Sequence, residues 1–473
     1  MSALSGPIGA GSAAAAALAL LGCATPPAPQ PKAPPVALDA AQVGLQGQAA
    51  PPAPMQWWHG LGDPQLDRLI ERALADNPNL AEAGARLRAA QAQVESSHAS
   101  QLPQVRLSGG ETRLKIPSGF GPNLLGGQTV WLGNVGAHLS WDLDLWGREA
   151  DAVAASRSLA QAAQLDVQSA QLLLAGAVTQ TYIDLYRSYA LADIAAQAEE
   201  QRGRILEITR RRLAAGLDTR VELREAEGAV PQAHLLLLQE HSSQEQLRHQ
   251  LAALSGHGAN EYDGITRPAL TLPLALQVPA TLPINLLARR SDVIAARERI
   301  RANDSQLHAA RAAFYPSINL AGLVGFASVG LSDLLAAESL GYGAGPALSL
   351  PLFDGGRLRA QYRGVEAALD ESTASYDATV LNAVRQVADQ VTQIAALEGE
   401  LAQQRQWADA AEEAYRLAEE RYRAGLATYL SVLSAETEVL NARRQSVELM
   451  SAQASARISL LLALGGSFEE NAP

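Results

Sequence analysis

The decapeptide Arg421–Leu430, "RYRAGLATYL", nearly repeats Arg212–Val221, "RLAAGLDTRV", 209 residues earlier. Each copy sets Ala-Gly-Leu between long charged stretches poor in glycine, the signature of a turn between two helices. A turn restated at a fixed offset implies that the chain is duplicated. The correspondence continues outward. At an offset of 213, Ala83, Arg86, Gln93, Ala99, Pro103 and Leu107 match Ala296, Arg299, Gln306, Ala312, Pro316 and Leu320. At 209, "LSWDLDLWGR" (139–148) matches "LSLPLFDGGR" (348–357), and Arg212, Ala215, Gly216, Leu217 and Thr219 match Arg421, Ala424, Gly425, Leu426 and Thr428. The offset shortens inside a glycine-rich stretch, where a loop can lose residues without disturbing packing.

The two halves share one order: helix, strand, strand, long helix, turn, helix. Asp63-Pro64 opens the first helix, with Leu66, Leu69, Ile70 and Ala73 on one face. The strands alternate at period two. Ala137, Leu139, Trp141, Leu143 and Leu145 share one face, with His138, Ser140, Asp142 and Asp144 on the other. Ile318, Leu320, Val324 and Phe326 form a second apolar row, and Leu348, Leu350 and Leu352 a third. This alternation suits the wall of an outer-membrane barrel and equally a sheet packed on a soluble core.

The helices favour an extended architecture. Residues 148–215 and 357–424 are 68 residues each without a proline, about 100 Å if straight. The shorter helices 64–101 and 218–255 total 76 residues, and 285–313 and 427–465 total 68. Two short helices therefore match one long one in each half, with the glycine turn at the tip away from the strands. Four strands do not close a barrel, and an open edge is not tolerated in lipid. Three copies pooling their strands would give twelve.

Composition narrows the function classes. The 473 residues are 48% hydrophobic and 18% charged, with 5% aromatics, which suits long alanine-rich helices. A formal net charge of −12 argues against nucleic acid as a partner. The lone cysteine, Cys23, follows the short apolar run ending "LALLG" and resembles a bacterial lipobox, in which it becomes an acylated N-terminus. Residues 1–22 hold no Lys or Arg, a departure from the positive start of such signals. No stretch reaches 18 consecutive apolar residues, so no transmembrane helix is expected. His234, His241 and His249 lie near one helical stripe without metal-ligand spacing, and no nucleophile, zinc or P-loop motif is present. Neither an enzyme nor a metal or cofactor site is expected. The domain reading is a signal (1–22), a Pro/Ala-rich tether (23–55), a first repeat (56–256), a connector (257–281), a second repeat (282–467) and a short tail (468–473).

The stretches "WWHGLGDPQLDRLIERAL", "LPINLLARRSDVIAARERIRANDSQLHAARAAFYPSINL", "LPLFDGGRLRA" and "ERYRAGLATYLSVLSAE" together resemble the outer-membrane factor family of tripartite efflux systems, the TolC/OprM-like channels, and especially its NodT-type lipoproteins. Arg290-Ser291-Asp292-Val293 stands where the family often has Arg-Pro-Asp-Val. The resemblance implies a mainly helical homotrimer, with a twelve-stranded outer-membrane barrel continued by a long periplasmic helical barrel. It also implies a periplasmic adaptor (membrane fusion protein) and an inner-membrane pump as partners, with small toxic molecules as cargo. Adaptor docking then falls to Ala215, Gly216, Leu217, Thr219, Ala424, Gly425, Leu426 and Thr428. The family's aperture acids fall on Ser431 and Ser434, so those acids are missing. The first half offers Glu222 and Glu225, flanked by Arg220 and Arg224, as the charged constriction; the same residues also read as solvated helix charges. A type I protein-secretion duct, or a pore-less lipid-anchored coiled-coil protein, are the alternatives.

Overall fold

The computed structural model describes residues 56–117, 127–272 and 289–466. Cys23, the signal, the tether, most of loop 119–128, part of the connector and the tail lie outside the described residues. Among the described residues, seven α-helices and four strands follow the duplicated order: α1 (Pro64–Asp76), α2 (Pro78–Ser100), β1 (Gln104–Lys115), β2 (Thr129–Leu143), α3 (Arg148–Ala214), α4 (Arg220–Leu254), α5 (Ser291–Ala312), β3 (Ser317–Val329), β4 (Leu340–Ser349), α6 (Arg357–Arg423) and α7 (Tyr429–Ala463).

One expected helix is two. Pro78 disfavours helical backbone at Asn77, which adopts φ −67°, ψ 123° between α1 and α2. Asn77 then serves both sides, accepting from Asn79 N–H at 2.9 Å and donating to the Leu254 carbonyl at 2.8 Å. The strands also stop sooner than their apolar rows suggested. β2 ends at Leu143, leaving Leu145 beyond it, and β4 ends at Ser349, leaving Leu350 and Leu352 outside. Asp144 consequently points to no barrel face. Its Oδ2 accepts the Ala150 N–H at 2.8 Å and holds the first turn of α3.

The chain forms two compact units, and each draws on both repeats. The first comprises Arg86–Ala163 and Ala295–Tyr376 and holds the sheet. Its four strands are antiparallel in sequence order, so the β2–β3 seam joins the two halves. Register assigns the faces. Val105, Leu139, Ala137, Val324 and Tyr342 lie on one side, in the pairs Val105↔Leu139, Ala137↔Val324 and Val324↔Tyr342. Leu107, Val135, Phe326, Leu340, Leu320 and Leu348 join them on that side. The other side carries Arg106, His138, Ser140, Asp142 and Asn319, and Asn319 donates to Ser140 Oγ at 2.9 Å and Asp142 Oδ1 at 2.7 Å. On this polar side Gly325 meets Gly136 so closely that a Cβ on Gly325 would lie 2.5 Å from the Gly136 Cα. The apolar side has no such crowding: Leu107 and Tyr342 are 75% and 83% exposed. At the foot of the sheet Trp146 stacks on Tyr315, ring centres 4.9 Å apart, and donates its indole N–H to the Pro316 carbonyl.

The second unit is helical. It takes α1, Gln164–Ile294 and Asp377 onward, as far as these are described. Leu66, Leu69, Ile70 and Ala73 of α1 are all buried, against Val178, Tyr182 and Ile183 of α3 and Ile458 of α7. Asp63 caps α1 through the Gln65 N–H at 2.9 Å and also accepts from the Tyr182 hydroxyl and the Ala269 N–H, both at 2.7 Å. The buried Trp57 and Trp58 complete this core.

Candidate functional site

The glycine turns close the helix pairs α3–α4 and α6–α7 with one backbone design. Gly216 and Gly425 adopt φ of +75° and +76°, a left-handed conformation that glycine enters without Cβ strain. In each turn the following leucine donates its N–H back five residues, Leu217 to the Arg212 carbonyl at 2.9 Å and Leu426 to the Arg421 carbonyl at 2.8 Å. Gly216 and Gly425 likewise donate to Leu213 and Tyr422. These are Schellman motifs, which satisfy the last carbonyls of a helix. The cost of this geometry is that the leucines point outward: Leu217 is 65% and Leu426 71% exposed, with Val221 and Leu430 alongside at 63% and 62%. Ala215, Thr219, Ala424 and Thr428 are exposed beside them.

The side chains have diverged. Thr219 starts α4 with a capping box: its Oγ1 accepts the Val221 N–H at 3.1 Å, and Glu222 accepts the Thr219 N–H at 2.9 Å and its hydroxyl. Those bonds hold the Glu222 carboxyl below its usual range. Thr428 makes no such cap and lies 3.1 Å from the Ser431 hydroxyl.

A bridge then ties the first turn to the second helix pair. Arg212 holds Asp218 with two bonds, Nε to Oδ2 at 2.9 Å and Nη2 to Oδ1 at 3.0 Å, and its Nη1 donates to the Tyr422 carbonyl at 3.0 Å. Its guanidinium lies over the Tyr422 ring, 4.5 Å from the centre. Tyr422 is buried and donates its hydroxyl to Asp218 at 2.7 Å, with Thr209 Oγ1 3.0 Å away. Burial pulls the Asp218 pKa up. The hydrogen bonds from Arg212 and Tyr422 and the Arg212 charge outweigh it, leaving the group below the ordinary carboxylate value. Around them Ile205, Ala226, Tyr429 and Val432 form a local core.

Deeper in the same unit, Arg202 of α3 faces Glu436 of α7, Nε to Oε2 at 3.5 Å, with side chains only 9% and 4% exposed. Arg202 also donates to the Ala229 carbonyl at 3.0 Å and to Gln232 at 3.1 Å. Burial raises the Glu436 pKa, and Arg202 works against that shift.

The remaining charges expected at a constriction separate. Arg224 pairs with Glu227 at 2.7 Å instead of with Glu222 or Glu225. Glu225 and Arg220 are exposed, as are Ser431 and Ser434. The three histidines are also spread out: His234 meets Glu199 at 3.1 Å, His241 meets Gln244 at 3.3 Å, and His249 packs on Tyr262. Among the described residues no group of three or more His, Cys, Asp or Glu is placed to hold a metal, and no helix is long and apolar enough to cross a membrane.

Sequence reading named the turn residues but missed the Arg212–Asp218–Tyr422 bridge and the Arg202–Glu436 pair. The first left a faint signal: Asp218 stands against Ala427 and Tyr422 against Leu213, two of the five positions in ten at which the copies of the phrase differ. The second had none, because Arg202 corresponds to Ala411 and the partners lie on opposite halves.

The profile of the family described as "Outer membrane efflux protein" matches residues 69–257 and 282–466. The chain belongs to the outer membrane efflux protein family. The fusaric acid resistance protein FusA of Burkholderia cepacia is 35% identical over 364 residues, covering 75% of this chain and 68% of its own length. The multidrug resistance outer membrane protein MdtP of Escherichia coli (strain K12) is 32% identical over 423 residues, 88% of this chain and 86% of MdtP. Among solved structures, the outer membrane protein VceC of Vibrio cholerae superposes with a TM-score of 0.83 at 33% identity, covering 88% of this chain and all of VceC. As an outer membrane efflux protein, the chain is mainly helical with a small sheet and resides in the outer membrane. Its relatives are channel proteins, not enzymes.

Proposed function

We propose that the protein is the outer-membrane exit duct of a tripartite efflux system, passively conducting small toxic molecules expelled by an inner-membrane pump. The observation that carries this is the sheet. It has four strands, one face that is apolar except for Glu111, Arg113 and Lys115 toward the end of β1, an opposite face carrying Arg106, His138, Ser140, Asp142 and Asn319, and open edges at β1 and β4. An open edge has no place in lipid, and three copies edge to edge give a twelve-stranded barrel with the polar side inward. The family membership, and the efflux roles in the names of its relatives, point the same way.

Cys23 carries the lipid anchor, and the helices extend into the periplasm. The two turns form the docking surface for a periplasmic adaptor, through Ala215, Gly216, Leu217 and Thr219 and through Ala424, Gly425, Leu426 and Thr428. Backbone strain is absorbed by the glycines, so the leucines are available to an apolar partner. A charged constriction at this end draws on the first half, since Ser431 and Ser434 carry no charge. Glu222 is engaged in capping α4, which leaves Glu225 as the freer acid.

The test is mass and single-channel recording of the detergent-extracted protein reconstituted in planar bilayers. A trimer with steady unit conductance supports the duct. A monomer or dimer with no conductance removes it and leaves a pore-less lipoprotein. Replacing Glu225 with alanine reduces cation preference if Glu225 lines the constriction, and leaves it unchanged if that assignment is wrong.

A further inference from the structure

β1 ends in Arg113 and Lys115, and alternation places both on the apolar side of the sheet with Val105 and Leu107. Arg113 is opposite Trp131 and Lys115 opposite Thr129. The Arg113 guanidinium lies over the Trp131 indole, 5.5 Å from the ring centre. Both cations are exposed, and neither has an ion-pair partner among the described residues. The acids of this region are Glu111, one step back on the same face, and Asp333 and Glu338 in the β3–β4 connection; residues 118–126, "SGFGPNLLG", carry no charge.

That connection is tied to β2 beside Trp131, where Gly330 N–H donates to the Trp131 carbonyl at 2.7 Å. It carries Leu331 and Leu335, 58% and 74% exposed, and Leu334, which packs at Gly133 on the apolar side. From the middle of β1 outward, the apolar side therefore passes from aliphatic residues to leucines at the level of Gly133 and Glu111, then to Arg113 level with the Trp131 indole, and last to Lys115. A bilayer has the same order: hydrocarbon, an aromatic-rich interface, then phosphate.

We propose that Arg113 and Lys115, braced by Trp131, seat the phosphate of an outer-leaflet glycolipid. This rests on the reading of the apolar face as lipid-facing. The indole orients the Arg113 fork, whose planar donors match phosphate oxygens, and Lys115 adds a point charge on the same side. These residues lie at the end of the sheet away from α2 and α3, so the occupant belongs to the outer leaflet.

The experiment is native mass spectrometry of the full chain in detergent, titrated separately with bisphosphorylated lipid A, dephosphorylated lipid A and phosphatidylglycerol. The wild type retains bisphosphorylated lipid A, and Arg113→Gln/Lys115→Gln binds it about thirtyfold more weakly, from about fivefold per basic residue. Equal retention by wild type and variant, or equal retention of the dephosphorylated lipid, overturns the seat. Phosphatidylglycerol retained as strongly through the same two residues overturns the outer-leaflet assignment. A nitroxide at Leu107→Cys checks the underlying reading independently. Collisions with oxygen exceeding those with a nickel chelate place that face in lipid, and the reverse overturns the lipid-facing reading itself.

Discussion

Tyr422, from the second half of the duplication, donates its hydroxyl to Asp218 of the first half across 2.7 Å. Asp218 is also gripped by Arg212 from its own helix pair, so one carboxylate joins the two turns through residues 204 apart in sequence. Its side chain is 7% exposed and that of Arg212 13%, and removing one member of such a pair strands the other. Asp218→Ala is expected to destabilise this end of the helical unit by about 3 kcal/mol. Hydrogen exchange at Ile205, Ala226 and Val432 reads the effect; unchanged protection would show the bridge to be ornamental.

The same carboxylate sets a pH dependence. Its native pKa lies below the ordinary value of 3.8, so its contribution is fully present above that value and is lost as pH falls through the lower native one. Thermal unfolding followed from pH 7 to pH 3 should show a fall in midpoint of which the Asp218 part begins only below about 4. In Asp218→Ala that part of the fall should shrink. An identical acid profile in both proteins would assign the fall to other groups.

The Arg202–Glu436 pair predicts a different pattern. Burying two charges carries a desolvation cost that their attraction only partly offsets, whereas breaking the pair leaves one charge alone. Arg202→Leu and Glu436→Leu should each destabilise by about 3–5 kcal/mol, while the double variant returns to within about 2 kcal/mol of wild type. Denaturant midpoints of the four proteins decide this. Additive losses would mean that the two side chains act independently.

At the sheet, Gly325→Val places a Cβ where the backbone of β2 already lies. The β2–β3 seam has to separate locally, and the variant should fail to assemble in the outer membrane. Gly343→Val on β4, where a Cβ meets nothing within 4 Å, serves as the control and should assemble normally. Heat-modifiable migration on gels distinguishes the two.

The turns give the direct functional prediction. Leu217→Asp and Leu426→Asp change exposed side chains that support no core, so assembly should be kept while partner docking is lost. Cells carrying the double variant should become as drug-sensitive as cells lacking the gene, with undiminished protein in the outer membrane. Full resistance in those cells would place docking elsewhere.

The sequence made the repeat, the helix pairs and the strand faces legible because each leaves a periodic trace: 209 or 213 residues for the duplication, two for the strands. The glycine turns were legible for the same reason, since a left-handed residue between long helices has few identities open to it. Element ends were less so. Asn77 and Pro78 end a helix whose buried stripe the next helix does not continue, and Leu145, Leu350 and Leu352 continue an alternation that the hydrogen-bonded ladder has abandoned. Tertiary charge pairs left the weakest trace. Glu222 read as a free acid because a capping box places a carboxylate three residues after a threonine without revealing which role it takes.

The β2–β3 seam also bears on ancestry. It joins one repeat to the other in the same antiparallel manner that β1–β2 and β3–β4 use within each repeat. A single-repeat forebear would have brought two strands and one turn, and twelve strands would then have required six identical chains. On the proposed trimer, fusion would have turned three of those six contacts between subunits into contacts within one chain. Once the turns were no longer obliged to be the same, Asp218 and Ala427 were free to part company.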